Sequence, residues 1–283
     1  MTSEFEREHM AWRKARVARL TARDGWLSLI GKFFLEPGVA VPVGSGAVEG
    51  VLVPASHAPA QLGRVELSDR RVVFTPIAPQ GLSLQRAGST AREPLSEPVT
   101  LQSDAHGPGD RVLFGELQFD VMERADSFAV RVRDVSRANA EFDGIDYYPL
   151  DPSWRVTARL EPYTPERAID LVYESGIAEP HFAPGAAVFE RDGIEYRVDP
   201  VYETGRKRLW LVFADPTNRD QTYGAGRFLY APPPEDGRVV LDFNRAFNPP
   251  CAFSPFVACP LPPQENRLKL RIEAGEKRPR DHV

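Results

Sequence analysis

With 283 residues, the chain can bury one large core or two modest ones. Charged residues at 27% and hydrophobic residues at 42% are ordinary for a globular protein, and a net charge of −5 excludes a general pull toward nucleic acid or anionic membrane. Proline stands out: 27 residues is roughly twice the average share of about 5%, which disfavours long helices and favours short strands between stiff loops.

The first predicted element is a helix over residues 3–22. Ser3 and Glu6 are spaced as a capping box, and Gly25 lies beyond the far end. Glu4, Glu6 and Glu8 sit at its start and Arg13, Lys14, Arg16, Arg19 and Arg23 toward its end, which complements the helix dipole. The basic half reads as a solvated face, with Phe5, Trp12 and Leu20 turned inward. This charged start has no apolar signal-peptide core, and no apolar run reaches the ~18–20 residues of a membrane span. Two cysteines do not make a secreted disulfide framework, so a cytoplasmic location is expected.

After Gly25 the texture turns to β, with short runs at 39–43, 50–53, 64–67 and 71–74 separated by Gly, Pro, Ser and Asp. Residues 76–109 are polar and turn-rich, which suggests a linker or long excursion and a boundary near 109. A second β series begins with 127–134, where Phe128, Val130 and Val132 alternate with Arg131 and Arg133. Residues 154–160 alternate in the same way. Arg191-Asp192-Gly193 reads as a hairpin turn between 187–189 and 194–198. The run 209–213 is apolar on both faces, as a central strand should be, and 239–244 and 268–273 complete the set.

Polar chemistry concentrates in the last third. In 239–244, Asp242 and Asn244 project from the face opposite Val239, Leu241 and Phe243; they suit a ligand or a catalytic water, or else clamp the next loop. Asn248-Pro249-Pro250-Cys251 and Cys259-Pro260 hold two thiols in proline-stiffened loops. These read as a redox pair, soft-metal ligands, a disulfide or plain packing; His57, His106 and His181 are not at metal-motif spacing, so no metal site is assigned. Thr222-Tyr223-Gly224-Ala225-Gly226-Arg227 puts a phenol before a glycine bend and a guanidinium after it. Arg227 there could fork onto an anion or bridge to an acid such as Asp215 or Asp242. Arg131 and Arg133 form a second candidate anion face. Glu273 shares a face with Lys269 and Arg271, opposite Leu268, Leu270 and Ile272. No GxSxG elbow, HExxH, P-loop or EF-hand loop occurs.

TYGAGRFLY, VVLDFNRAFNPPCAF, ACPLPPQENRL and IEAGEK together resemble the motifs of the bacterial and archaeal family called domain of unknown function 1684. Upstream, GWLSLIGKFFLEPG, RVRDVSRANAEFDGIDYYPLDPSWRV and PGAAVFERDGIEYRVDP fit the same pattern, so the resemblance extends over nearly the whole chain. It implies a shared site without naming its chemistry, at Tyr223, Arg227, Asp242, Asn244, Asn248, Cys251, Cys259, Asn266, Glu273 and Glu276. Residues 26–75 resemble, more distantly, a forkhead-associated β-sandwich, with Gly44-Ser45 and Ser56-His57-Ala58 near two of its motifs. The phosphate-gripping arginine of that family has no counterpart, so only the fold carries over.

The expected fold is therefore mainly β: an N-terminal helix (1–25), a small forkhead-associated-like β-sandwich module (26–109) and a larger C-terminal β-sandwich or barrel domain (110–283). Three functional readings follow. The first is an enzyme acting on a small anionic molecule in a C-terminal polar pocket, with Tyr223, Asp242 and Cys251 catalytic and Arg227, Asn244, Asn248, Arg131, Arg133, Asn266 and Glu273 binding. The second is a non-catalytic module that binds a small ligand or peptide. The third is a framework of loop hydrogen bonds with no site. No cofactor, nucleic acid, membrane or oligomer is specified by the residues.

Overall fold

The structure, a computed structural model, describes residues 3–137, 142–174, 176–203, 205 and 207–280. The chain divides into two compact units: unit 1 combines Met1–Leu20 with Phe142–Val283, and unit 2 is Thr21–Glu141. The chain thus leaves unit 1 after its first helix and returns to it later. The boundary expected near 109 falls inside unit 2, because residues 76–109 supply strands to both of that unit's sheets.

Unit 2 contains β1 (Leu29–Phe34), β2 (Ala40–Gly44), β3 (Val51–Leu52), β4 (Gly63–Ser68), β5 (Arg71–Pro76), β6 (Leu82–Gln85), β7 (Glu93–Pro94), β8 (Val99–Leu101), β9 (Arg111–Phe114), β10 (Leu117–Arg124) and β11 (Ser127–Asp134). One sheet runs β3-β2-β4-β5-β8 and the other β1-β11-β10-β9-β6-β7. Val43, Val65 and Phe74 of the first and Val112, Phe119 and Val130 of the second share one buried cluster. Alternation along each short strand supplies that inner face, as two stacked sheets require.

Unit 1 contains α1 (Glu4–Leu20), β12 (Arg155–Val172), β13 (Ala178–Arg191), β14 (Ile194–Val198), β15 (Val201–Tyr202), β16 (Leu209–Phe213), β17 (Arg227–Ala231) and β18 (Arg238–Asp242). Its sheets are β14-β13-β12-β18 and β15-β16-β17. The β13–β14 hairpin closes at Asp192 and Gly193, both at positive φ, on the paired ends Arg191 and Ile194. The central β16 has a buried inner face, and Leu211 and Phe213 pack with Leu229, Leu241 and Phe243.

The Ser3–Glu6 capping box forms in both directions, with Ser3 N donating to Glu6 at 2.7 Å and Glu6 N to Ser3 Oγ at 3.1 Å. The docked face of α1 keeps the expected Leu20, which is buried, but His9 and Arg16 are buried beside it while Phe5 and Trp12 are only half-buried. Residues 268–273 also depart from expectation. Leu268 and Ile272 are buried and Lys269, Arg271 and Glu273 exposed, yet among the described residues the run forms no strand, with only an isolated bridge of Arg267 to Ala214 at its start. Leu268 N donates to the Ala214 carbonyl at 2.8 Å, and side chains from elsewhere in unit 1 take up the backbone of Ile272. No helix among the described residues is long and apolar enough to cross a membrane.

Candidate functional site

β17 begins at Arg227, whose side chain is 0% exposed. Its Nη2 donates to Asp215 Oδ1 and to the Ile272 carbonyl, both at 2.9 Å, and its Nη1 donates to the Ala274 carbonyl. Asp215 Oδ2 in turn accepts from Ile272 N at 2.8 Å. Asp215 also caps the turn at Pro216–Arg219 in a reciprocal box with Asn218. One carboxylate and one guanidinium thereby satisfy both the N–H and the C=O of Ile272, which no strand pairs among the described residues. Burial pushes the guanidinium below its usual value, and Asp215 opposes that. The bend before Arg227 requires Gly226: φ is +101°, and a Cβ there would stand 2.7 Å from the Phe213 carbonyl.

β18 ends at Asp242, which caps the turn Phe243–Arg245. Asp242 Oδ1 accepts from Asn244 N at 3.2 Å and from Asn244 Nδ2 at 3.1 Å, while Oδ2 accepts from buried His9 at 2.8 Å. His9 Nδ1 meets the Phe5 carbonyl at 2.7 Å. Asn244 spans to a distant loop, donating to the Asp151 carbonyl at 2.9 Å and accepting from Asp151 N at 3.1 Å. Asn266 does the same to Asp199, with contacts of 2.7 and 3.1 Å. Asn248 donates from Nδ2 to the Lys277 carbonyl at 2.7 Å, and its N–H goes to Glu276 at 2.7 Å. Arg16 of α1 donates to Glu276 and to the Asn248 carbonyl, both at 2.8 Å.

These contacts correct several sequence expectations. Arg227, Asn244, Asn248 and Asn266 are each buried, and they bond loop backbone or an internal carboxylate, with Arg227 Nε and Asn248 Oδ1 left without a hydrogen-bond partner among the described residues. Arg131 and Arg133 lie in unit 2 and are neither a solvated face nor an open anion site. Arg131 pairs with Asp120 at 2.6 Å and Asp104 at 2.8 Å, and Arg133 pairs with Asp120. Their β10 neighbour supplies the countercharge because Asp120 stands directly across from Arg131 in the register. Glu273 is exposed and pairs with Arg271 at 3.3 Å, away from the buried groups.

Tyr223 and Cys251 are different. Both are half-buried, and Tyr223 Oη donates to Cys251 Sγ at 3.8 Å. Cys251 sits in the turn Pro250–Ala252, and its N–H donates to Sγ of buried Cys259 at 3.2 Å. The Cys259 carbonyl accepts from Glu174 N at 3.3 Å. Both cysteines are free thiols. Burial, reinforced by the neighbouring Cys251, pushes the Cys259 thiol and the Tyr223 phenol up. Among the described residues, no group of three or more His, Cys, Asp or Glu is arranged to hold a metal ion.

Residues 140–277 match the family described as Protein of unknown function (DUF1684). The chain is also similar to an uncharacterized protein of Haloarcula marismortui, known from a solution NMR structure. Identity is 31% over 50% of this chain and 79% of that one, with a TM-score of 0.42. The chain belongs to the DUF1684 family. No curated protein matches it. The DUF1684 match holds Tyr223, Arg227, Asp242, both cysteines and Glu276; of the three upstream segments expected to share the pattern, it includes 184–200, overlaps 131–156 and does not reach 25–38, so it covers about half of the chain where nearly all was expected.

Sequence reasoning missed His9 and Arg16, and it named Asp215 only as a possible partner of Arg227, a pairing the structure makes, not as a cap. A signal for the first two exists: His9, Arg16 and Leu20 recur at helical spacing on one face. For Asp215, the run Asp-Pro-Thr-Asn is a capping signature.

Proposed function

We propose that Tyr223 and Cys251 form a thiol–phenol site acting on a small molecule, and that the surrounding carboxylate, amide and guanidinium side chains hold its loops in place. The observation that carries this reading is the 3.8 Å approach of Tyr223 Oη to Cys251 Sγ at a half-buried position, with a second thiol directly behind. Among side-chain nucleophiles a thiol is the most reactive at its unperturbed pKa, with a few per cent thiolate at neutral pH. An anionic ligand has less support, because Arg227, Arg131 and Arg133 are each engaged by internal carboxylates. Asp242 supports the site as a cap and a docking point for α1, and Asn244, Asn248 and Asn266 act as loop ties.

The second reading is a framework with no ligand. It is favoured by the backbone partners of Asn244, Asn248, Asn266 and Arg227. Alkylation of the folded protein with iodoacetamide, mapped by mass spectrometry, separates the two. The thiol site predicts that Cys251 is labelled well before Cys259, which becomes reactive only on unfolding, and that Tyr223→Phe changes the rate at Cys251 while leaving the melting temperature in place. Equal protection of both cysteines in the folded state leaves the framework reading alone.

A further inference from the structure

Two free thiols of unequal exposure are held together within unit 1. Cys251 is half-buried, while Cys259 is 3% exposed. The Cys251 N–H reaches Cys259 Sγ at 3.2 Å. Flanking prolines at 249, 250 and 260 stiffen both arms. The backbone bond from Glu174 N to the Cys259 carbonyl anchors the inner arm further. The Cys259 sulfur thus lies against the backbone of the residue that carries the other thiol, within reach of a side-chain rotation at Cys251.

We propose that Cys251 and Cys259 form a two-electron dithiol–disulfide couple, with Cys251 attacked by a hydroperoxide and Cys259 resolving the product. The proposal rests on the reading of Tyr223–Cys251 as the accessible site. In the first step Cys251 sulfur attacks the outer peroxide oxygen and the O–O bond breaks. Cys251 becomes a sulfenic acid, the peroxide is reduced to an alcohol or water, and the thiol proton ends on the leaving oxygen. Tyr223 Oη, hydrogen-bonded to Cys251 Sγ, is placed to relay that proton. In the second step Cys259 sulfur attacks the sulfenic sulfur. The S–S bond forms, the S–O bond breaks, and the departing hydroxyl takes the Cys259 proton and leaves as water. Each sulfur gives up one electron and the peroxide accepts both. The difference in exposure fixes the order of attack: only Cys251 meets an incoming oxidant, and the buried partner meets only Cys251.

The test uses the full reduced protein, exposed to hydrogen peroxide and quenched with N-ethylmaleimide. The expected result is a mass loss of about 2 Da, a Cys251–Cys259 cross-linked peptide and full reversal by dithiothreitol. A Cys259→Ser protein should instead stop at a sulfenic acid on Cys251, captured by dimedone. If peroxide drives wild-type Cys251 to sulfenic or sulfinic acid while Cys259 still takes maleimide, the couple is overturned and the site reading stands. The same holds if iodoacetamide labels Cys251 but peroxide leaves both thiols intact. If Cys251 resists both reagents in the folded protein, the couple and the site fall together.

Discussion

Arg227 holds together three stretches of chain from a position with no solvent around it. Its carboxylate partner, Asp215, and the carbonyls of Ile272 and Ala274 use the planar spread of the guanidinium. A lysine carries a single compact ammonium and cannot reach the same acceptors together. Arg227→Lys should therefore lower stability, and Arg227→Met, which strands Asp215 as a buried unpaired charge, should cost about 3–5 kcal/mol, as read from urea unfolding. A loss under 1 kcal/mol would show that the pair is not the clamp described. At this scale the sequence identifies residues well and their partners poorly. Asp242, Asn244, Asn248, Asn266 and Arg227 are recognisable as turn residues with too much chemistry for solvent. Whether such an amide faces a ligand or a backbone depends on what the fold brings opposite it, as Asp151 is brought to Asn244.

Among the elements, α1 is docked through polar contacts. Arg16 reaches Glu276 and the Asn248 carbonyl, and His9 reaches Asp242 while both Arg155 and Arg245 stand farther from that carboxylate, at 3.6 and 3.8 Å. Removing the imidazole leaves Asp242 without its buried partner. His9→Ala should cost about 2–3 kcal/mol and raise trypsin cleavage inside α1, read by peptide mapping. Unchanged cleavage would mean that the rest of the face holds the helix alone. The capping box, the β13–β14 turn and most strands were legible because each is a local signal. The run 268–273 was not. Its alternation is genuine, but Leu268 bonds the Ala214 carbonyl and Ile272 bonds the Asp215 and Arg227 side chains, which no period in the sequence announces.

At the scale of the molecule the two units place their buried charges differently. Unit 2 holds Asp104 beside Arg131 and Arg124. Burial alone would raise that carboxyl, but the two guanidinia and the Glu123 N–H hold it below its ordinary value. The folded value is thus lower than the unfolded one, near ~3.9. Its stabilisation is complete above that range and disappears as pH falls through the folded value. Hydrogen exchange over residues 117–134 should lose protection as pH drops below about 4. Asp104→Asn should lower protection at neutral pH and flatten the acid response; an unchanged slope would assign acid sensitivity elsewhere. The boundary between units escaped sequence reading because a turn-rich stretch such as 76–109 looks like a linker whether or not its short strands find partners.

The discontinuity of unit 1 bears on how the chain is born. Its first helix leaves the ribosome before residues 142–280, which form its seat, and at about 5–20 residues per second the delay is on the order of ten seconds or more. A helix that engages mainly by an imidazole and a guanidinium, with few leucines, offers little grease to chaperones or neighbouring nascent chains while it waits.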